Sequence, residues 1–306
     1  MAQGSVRGTL IVDTSFLGDV LCAEPLVRAA ARAHPGEAVD FLTSPGAAPL
    51  LHGHPGLRAV LVYDKRRADR GLSGLWRTAR RIRANAYARV WCTHRSWRTA
   101  LLLRMSRIPE RVGYDDASGS MLYTRRVRYR KELHEIERNL EFAGGGAWEP
   151  PRVFPGQPEL LRAAELAPAA PFVAIAPGSL WATKRWPEER FAEVLRALSA
   201  AGTPTVLIGG PDDRELCARI ARAADGELVQ DLAGRTSLRE AYALIQRARC
   251  LISNDSAPMH LGVAAGVPVI AIYCSTVPSF GFAPRGPHDV VLGVEGLDCR
   301  PCGIHG

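Results

Sequence analysis

The chain contains no run approaching the roughly 18 uncharged apolar residues that cross a bilayer, and residues 1 to 9 lack the charged-then-apolar pattern of a secretory leader. Both absences point to the cytoplasm. Cysteine is sparse, with seven in 306 residues at 22, 92, 217, 250, 274, 299 and 302, too scattered for a disulfide framework. Five of them lie in apolar or helical surroundings and read as buried thiols. No second Cys-x-x-Cys accompanies "CRPC" (299 to 302), so a zinc site there would have half its ligands at most, and no metal is expected. Recognition-helix and RNA-binding signatures are missing too, which argues against nucleic acid as a partner despite a net charge of +8.

That charge is unevenly placed. Residues 1 to 150 hold 24 Lys and Arg against 15 Asp and Glu, while 151 to 306 hold 15 against 16. The excess lies wholly in the first half, where it would concentrate nucleic acid, an anionic membrane surface or an acidic substrate. Its densest part is "DKRRADRGLSGLWRTARRIRAN" (64 to 85), with eight basic and two acidic residues. A solvated, arginine-rich helical face would have the same composition.

With 47% hydrophobic residues the chain can bury two cores of about 150 residues each. In the first half, "GTLIVDT" (8 to 14), "AVDFLTS" (38 to 44), "LRAVLVYD" (57 to 64) and "ARVWCTH" (88 to 94) read as buried strands. Helical stretches separate them, including 20 to 35, which ends at His-Pro. Residues 144 to 170 turn rich in Gly and Pro and mark a linker, placed at 151 to 170 between a domain of 1 to 150 and one of 171 to 306. The pattern then restarts: strand 172 to 176, helix 186 to 202, strand and turn 204 to 216, strand 226 to 231, then helix, strand, short helix and strand over 237 to 273. Strands alternating with helices imply an α/β fold of two doubly wound parallel sheets. Ligands in such sheets bind at the carboxyl ends of the strands.

Two stretches of the second half sit at such ends. In "APGSLWATKRWPEERF", Gly178 and Ser179 can expose backbone N–H groups, Thr183 adds a hydroxyl and Lys184 a positive charge, just before a helix opened by Pro187. These are the parts of an anion site, and equally those of an ordinary turn with a surface lysine. In "LISNDSAPMHLGVAAGVPV" a strand stops at Asn254-Asp255-Ser256, and the small residues that follow suit a tightly packed short helix. Its first amides could hold a phosphate oxygen, or Asp255 or Ser256 could serve only as its cap. A diphosphate, as in a nucleotide sugar, would suit the two stretches together. In the first half, "LIVDTSFLGDVL" (10 to 21) resembles a phosphate-holding βα turn, yet places Asp19 at the mouth of the helix.

Four motifs in order, "TSFLGDVL", "PGSLWATKRWPEERF", "DLAGRTSLREAYALI" and "NDSAPMHLGVAAGVPVIAIY", together with "RVGYDDASGSMLYTRRV…HEIERNLEF" (111 to 142), make the chain resemble bacterial glycosyltransferase family 9, the ADP-heptose:lipopolysaccharide heptosyltransferases. The likeness spans nearly the whole chain. It implies the GT-B arrangement of two facing Rossmann-like domains, with acceptor held by the first and nucleotide sugar by the second. It also implies inverting transfer of a heptose from ADP-heptose to the lipopolysaccharide inner core without a metal or other cofactor, in keeping with the lack of an Asp-x-Asp stretch at a suitable place.

By that resemblance Asp19 is the general base, and proximity to a helix N-terminus and to Arg or Lys would keep it ionised at neutral pH. A plain helix cap is the alternative. Thr14, Ser15 and Gly18 would shape its turn and touch the acceptor, and Lys184 would stabilise the leaving diphosphate. Asp255 would take sugar hydroxyls or order the phosphate loop, with Asn254, Ser256, Ala257, Met259 and His260 beside the donor. Asp231 would bind ribose hydroxyls or organise its own turn. Arg66, Arg67, Arg80 and Arg81 would meet an anionic lipid-linked saccharide at the cytoplasmic face of the inner membrane, where peripheral contact is expected.

The GT-B pattern closes with a helix returning to the first domain, and family members often continue past cysteines like those of "GLDCRPCGIHG". A C-terminal truncation or an unusual closure is therefore expected. A transferase or epimerase acting on another nucleotide sugar, or a non-catalytic nucleotide-sugar-binding protein, would retain the same donor motifs.

Overall fold

The computed structural model describes residues 8–303. The leader reading of residues 1–9 therefore lies mostly outside the described residues, as do the last three residues of the second domain. Apolar strands and amphipathic helices alternate along the chain, and strands pair in parallel across helical crossovers. Two compact units result, Met1–Glu149 and Pro150–Gly306.

The first unit runs β1 (Gly8–Val12), α1 (Leu17–Ala33), β2 (Ala38–Thr43), α2 (Ala48–Leu51), β3 (Ala59–Val62), α3 (Gly71–Ala84), β4 (Arg89–Cys92), α4 (Trp97–Met105), β5 (Glu110–Tyr114), β6 (Arg125–Val127) and α5 (Glu135–Leu140). Its sheet has the order β3-β2-β1-β4-β5-β6. β1 is central, with Gly8–Val12 paired to Ala38–Leu42 on one side and Thr9–Val12 to Arg89–Cys92 on the other. Every residue of β1 is buried. Helices cover both faces of such a strand, which is why its sequence is a continuous apolar run and does not alternate.

The second unit runs α6 (Gln157–Leu166), β7 (Val173–Ala176), α7 (Glu188–Ala200), β8 (Thr205–Leu207), α8 (Arg214–Ala224), β9 (Val229–Asp231), α9 (Leu238–Ile245), β10 (Cys250–Asn254), α10 (Ala257–Ala265), β11 (Val269–Tyr273) and β12 (Val290–Gly293). The order β12-β11-β10-β7-β8-β9 repeats the topology of the first sheet. Both units thus have the doubly wound, Rossmann-like class that the strand pattern predicts. In each, the winding reverses between the first and fourth strands: β1 and β4 in one unit, β7 and β10 in the other.

Packing fixes where these strand ends point. Ile175, Phe191, Leu195, Leu207, Cys217 and Ile220 form the core of the second unit, each large apolar side chain contributing about 1.5–3 kcal/mol by burial. Trp186 meets Phe191 edge-on at 5.1 Å and seats the start of α7 below the loop that leaves β7. A Cβ on Gly262 would stand 2.7 Å from Leu251 and 2.8 Å from Val269, so only glycine lets α10 lie this close to β10 and β11. All seven cysteines are unpaired as disulfides; Cys22, Cys92 and Cys217 are buried, Cys250 and Cys274 half-buried, and Cys299 and Cys302 exposed.

One buried charge braces the first sheet. Asp40 of β2 accepts from Arg58 Nε at 3.0 Å and from the Tyr87 hydroxyl. Asp40→Ala leaves both donors without that acceptor, and a loss of about 2 kcal/mol is expected, read as a lower urea midpoint of unfolding.

Candidate active site

In the second unit the two loops at the winding reversal are stitched together. Asn254, wholly buried at the end of β10, donates from Nδ2 to Pro177 O at 2.7 Å and accepts from Trp186 N at 3.0 Å. The strand ends of β7 and β10 are thereby locked to the start of α7. Beside this clamp, Lys184 Nζ donates to Asp255 Oδ2 at 2.7 Å, and the buried Thr276 hydroxyl donates to the same oxygen, also at 2.7 Å. Lys184, in a 3-10 turn over Ala182–Lys184, is largely covered, with 14% of its side chain exposed. Such a pair holds its ammonium in place in a partly dry setting, where charge interacts more strongly than in bulk water.

Backbone donors lie next to it. Ser256 is the N-cap residue of α10 and makes no side-chain cap bond; Pro258 has no N–H and Met259 N donates to Ser256 O at 3.0 Å, so the amide this first turn offers is that of Ala257. A Cβ on Gly178 would lie 2.1 Å from Asp213 Oδ1. Asp213 also accepts from Gly210 N at 2.9 Å, so glycine at 178 is what lets the loop after β7 run against the loop after β8. Ser179 is buried, its hydroxyl accepting from Trp181 N at 3.4 Å, and Thr183 is exposed.

The first unit builds something different at the same topological point. Asp13 follows β1 and is 3% exposed. Its Oδ1 accepts from Ser15 N at 2.9 Å and from the Ser15 hydroxyl, and its Oδ2 accepts from Thr93 Oγ1, just past β4, at 2.6 Å. The next amide along, Phe16 N, donates to Asp19 Oδ2 at 3.1 Å. Thr14 bonds His94 Nδ1 at 3.0 Å and receives Lys65 Nζ on its carbonyl at 2.9 Å. Burial lowers the pKa of both His94 and Lys65, opposed by the charge of Asp13. Gly18, in the first turn of α1, is half-buried.

Asp19 is half-buried in the first turn of α1. Burial pushes its carboxyl up to about 7, with the negative charges of Asp13 and Glu135 adding to the rise. The Phe16 N–H and the Ser15 hydroxyl act the other way. The expectation of a carboxylate kept fully ionised by neighbouring Arg or Lys is therefore corrected. A helix terminus is worth about 0.3–1 kcal/mol to an anion, which loses to desolvation combined with two acidic neighbours.

The glycosyltransferase family 9 (heptosyltransferase) profile matches residues 75–304. The chain belongs to glycosyltransferase family 9. It is 29% identical to lipopolysaccharide heptosyltransferase 1 of Pseudomonas aeruginosa over 96% of this chain and 85% of that one. The glycosyl transferase family 9 structure from Veillonella parvula superposes with a TM-score of 0.87 at 25% identity, covering 96% of this chain and 89% of its own. The E. coli ADP-heptose lps heptosyltransferase II structure does so with 0.83 at 23%, covering 97% and 96%.

Within this family 9 glycosyltransferase the expected residues fall into groups. Lys184 and Asp255 meet directly, and Gly178, Ser179, Asn254, Ser256 and Ala257 lie on the two loops around them. Met259 does not reach a ligand surface: it is 0% exposed and packs with Val269, Ala271 and Tyr273, which corrects its placement beside a donor. Burial brings the His260 imidazole down to about 4, so it is neutral at pH 7. Asp231 accepts from Ala233 N at 3.0 Å, the turn-organising alternative. Arg66, Arg67, Arg80 and Arg81 are exposed; Arg80 lies over the Trp76 ring at 4.7 Å and Arg81 donates to Val62 O.

The sequence reading passed over Asp13, Thr93, His94, Lys65, Glu135 and Thr276. Asp13 had a signal, since a charged residue ending a continuous apolar strand must sit at a strand mouth. Thr276 had none, because its contact with Asp255 spans 21 positions.

The raised Asp19 carboxyl has a consequence for stability. Between the ordinary carboxylate range and about pH 7 the folded chain keeps a proton there that the unfolded chain has released, so stability falls as pH rises through that window. Asp19→Asn is expected to raise the melting temperature clearly at about pH 8 and much less at about pH 5, as measured by thermal denaturation.

Proposed function

We propose that this family 9 glycosyltransferase is an inverting enzyme that moves a heptose from ADP-heptose to an anionic, lipid-linked core saccharide of lipopolysaccharide. The observation that carries the reading is the pair of winding-reversal sites: a lysine held among phosphate-suited loops in one unit, and a carboxylate poised near neutrality in the other. The names borne by its relatives, lipopolysaccharide heptosyltransferase and ADP-heptose heptosyltransferase, support the same donor and acceptor here.

In this reading the ADP diphosphate lies against the amides of the loop 178–184 and the Ala257 amide at the start of α10. Lys184 neutralises charge as the anomeric C–O bond breaks and the electron pair leaves on the diphosphate. Asp255, already bonded by Lys184 and Thr276, offers its carboxylate to sugar hydroxyls. Asp19 accepts the acceptor's hydroxyl proton as the new glycosidic bond forms on the opposite face of the sugar. A base whose pKa lies near the working pH combines a populated ionised form with useful proton affinity. The required positive groups all come from the chain, so transfer proceeds without a divalent ion.

The acceptor side is basic. On α3, Leu72 (78% exposed), Trp76 (52%) and Arg80 follow at intervals of four and form one outward stripe, flanked by Arg77 and Arg81. With Arg66 and Arg67 just before it, this surface suits an anionic saccharide presented at the cytoplasmic face of a membrane, with peripheral contact to the bilayer.

Asp19→Asn is expected to reduce heptose transfer by about 10²–10⁴-fold while ADP binding, followed by calorimetry, stays within twofold of wild type. Transfer that survives this substitution, or turnover abolished by EDTA, contradicts the mechanism. Replacing Arg66, Arg67, Arg80 and Arg81 together by Gln is expected to raise KM for the acceptor and flatten its dependence on salt. An unchanged KM and salt slope would make the patch solvated surface.

A further inference from the structure

The loop that carries Asp19 holds a second carboxylate for which transfer chemistry has no direct use. Ser15 N holds Asp13 and the adjoining Phe16 N holds Asp19, so neighbouring peptide groups present the two carboxylates side by side. The Ser15 hydroxyl, which donates to Asp13, also lies against Asp19. Asp13 is fixed on its other side by Thr93, at the opposite lip of the winding reversal.

Other charges around Asp19 are accounted for. Glu135 of α5 is bonded by Arg138 at 2.8 Å and by the Tyr129 hydroxyl at 3.1 Å, with Arg138 and Arg95 stacked over the Tyr129 ring. Glu135 thus has its own cationic partner, although its charge still adds to the rise at Asp19. α5 is tied to α1 by Asn139 Nδ2, which donates to Cys22 O at 3.1 Å, one turn beyond Asp19. Lys65 and His94 face Asp13 from the loops after β3 and β4, but each spends its hydrogen bonds on the Thr14 and Thr99 side of the loop. The direct donors to Asp13 are all neutral.

We propose that Asp13 is a positioning residue of the transfer reaction: a buried carboxylate bonded only by neutral donors, held on the amide adjoining that of Asp19, that sets the proton affinity of the base. The inference rests on Asp19 being that base. With Asp13 negative beside it, Asp19 ionises reluctantly and, once ionised, takes a proton readily. When Asp19 accepts the acceptor's hydroxyl proton, one negative charge leaves the pair and the repulsion is relieved as the glycosidic bond forms. The burial and acidic neighbours that push Asp19 up to about 7 agree with this geometry.

The test is the pH profile of kcat/KM for wild type, Asp13→Asn, Thr93→Val and Asp19→Asn, alongside a carboxyl ¹³C titration of Asp19 in the unliganded chain. Asp13→Asn keeps the shape and removes the charge. Its acid limb and its Asp19 titration are expected to move down together by about one pH unit or more, with a several-fold lower rate on the alkaline plateau from the weaker base. Thr93→Val withdraws one donor from Asp13 without touching either carboxylate, leaves that charge less screened, and is expected to move the limb upward. A limb and titration that stay in place in both variants, with Asp19→Asn inactive, overturn the role of Asp13 and leave the base assignment standing. Full activity of Asp19→Asn overturns the base itself.

Discussion

Where a doubly wound sheet reverses its winding, the loops leaving two adjacent strands turn away from each other and no helix fills the space above them. The two candidate sites in this chain are organised by that constraint, applied twice. β1 and β4 define the place in one unit, β7 and β10 in the other. Both openings need cross-loop bonds to fix their width. Thr93 to Asp13 spans the first at 2.6 Å, and Asn254 to Pro177 spans the second at 2.7 Å.

The two openings share a backbone plan and differ in electrostatics. After β7 the chain passes a glycine pressed against Asp213 and brings a lysine onto Asp255, leaving backbone donors and an ammonium suited to phosphate. After β1 the chain enters α1 almost at once, and amides that could have held an anion are taken up by its own Asp13 and Asp19. Internal carboxylates thus occupy amides that elsewhere could hold a phosphate, which under the proposed function serves proton transfer. The cost appears as a carboxyl that resists ionisation, a strain on stability that a purely structural helix cap would not carry.

Much of this was legible in the sequence, for reasons that can be traced. Continuous apolar runs such as "GTLIV" and "CLISN" lie on strands buried on both faces. The stretch 151–170, read as a linker, carries α6 and belongs to the second unit, which begins at Pro150. Lys184 and the Asn254-Asp255 stretch could be placed because both follow strands directly. The four-residue α2 and the strand "RRV" of β6, with two exposed arginines, carry no period to read. Chemistry that depends on distant pairing was out of reach. The environment of Asp19 is set by burial, by Asp13 and by Glu135, more than a hundred positions away, so local reading saw a helix N-terminus and expected an ionised acid. Met259 was misplaced for a related reason: a short helix next to a ligand loop still has an inward face, and Gly262 draws that face tightly onto the sheet.

The division of labour between the two openings is tested most directly by hydrogen–deuterium exchange with and without ADP. The account predicts slowed exchange in peptides covering 177–186 and 254–261, with peptides covering 13–20 unchanged. Protection confined to 13–20, with the Lys184 and Asp255 loops unaffected, would contradict it.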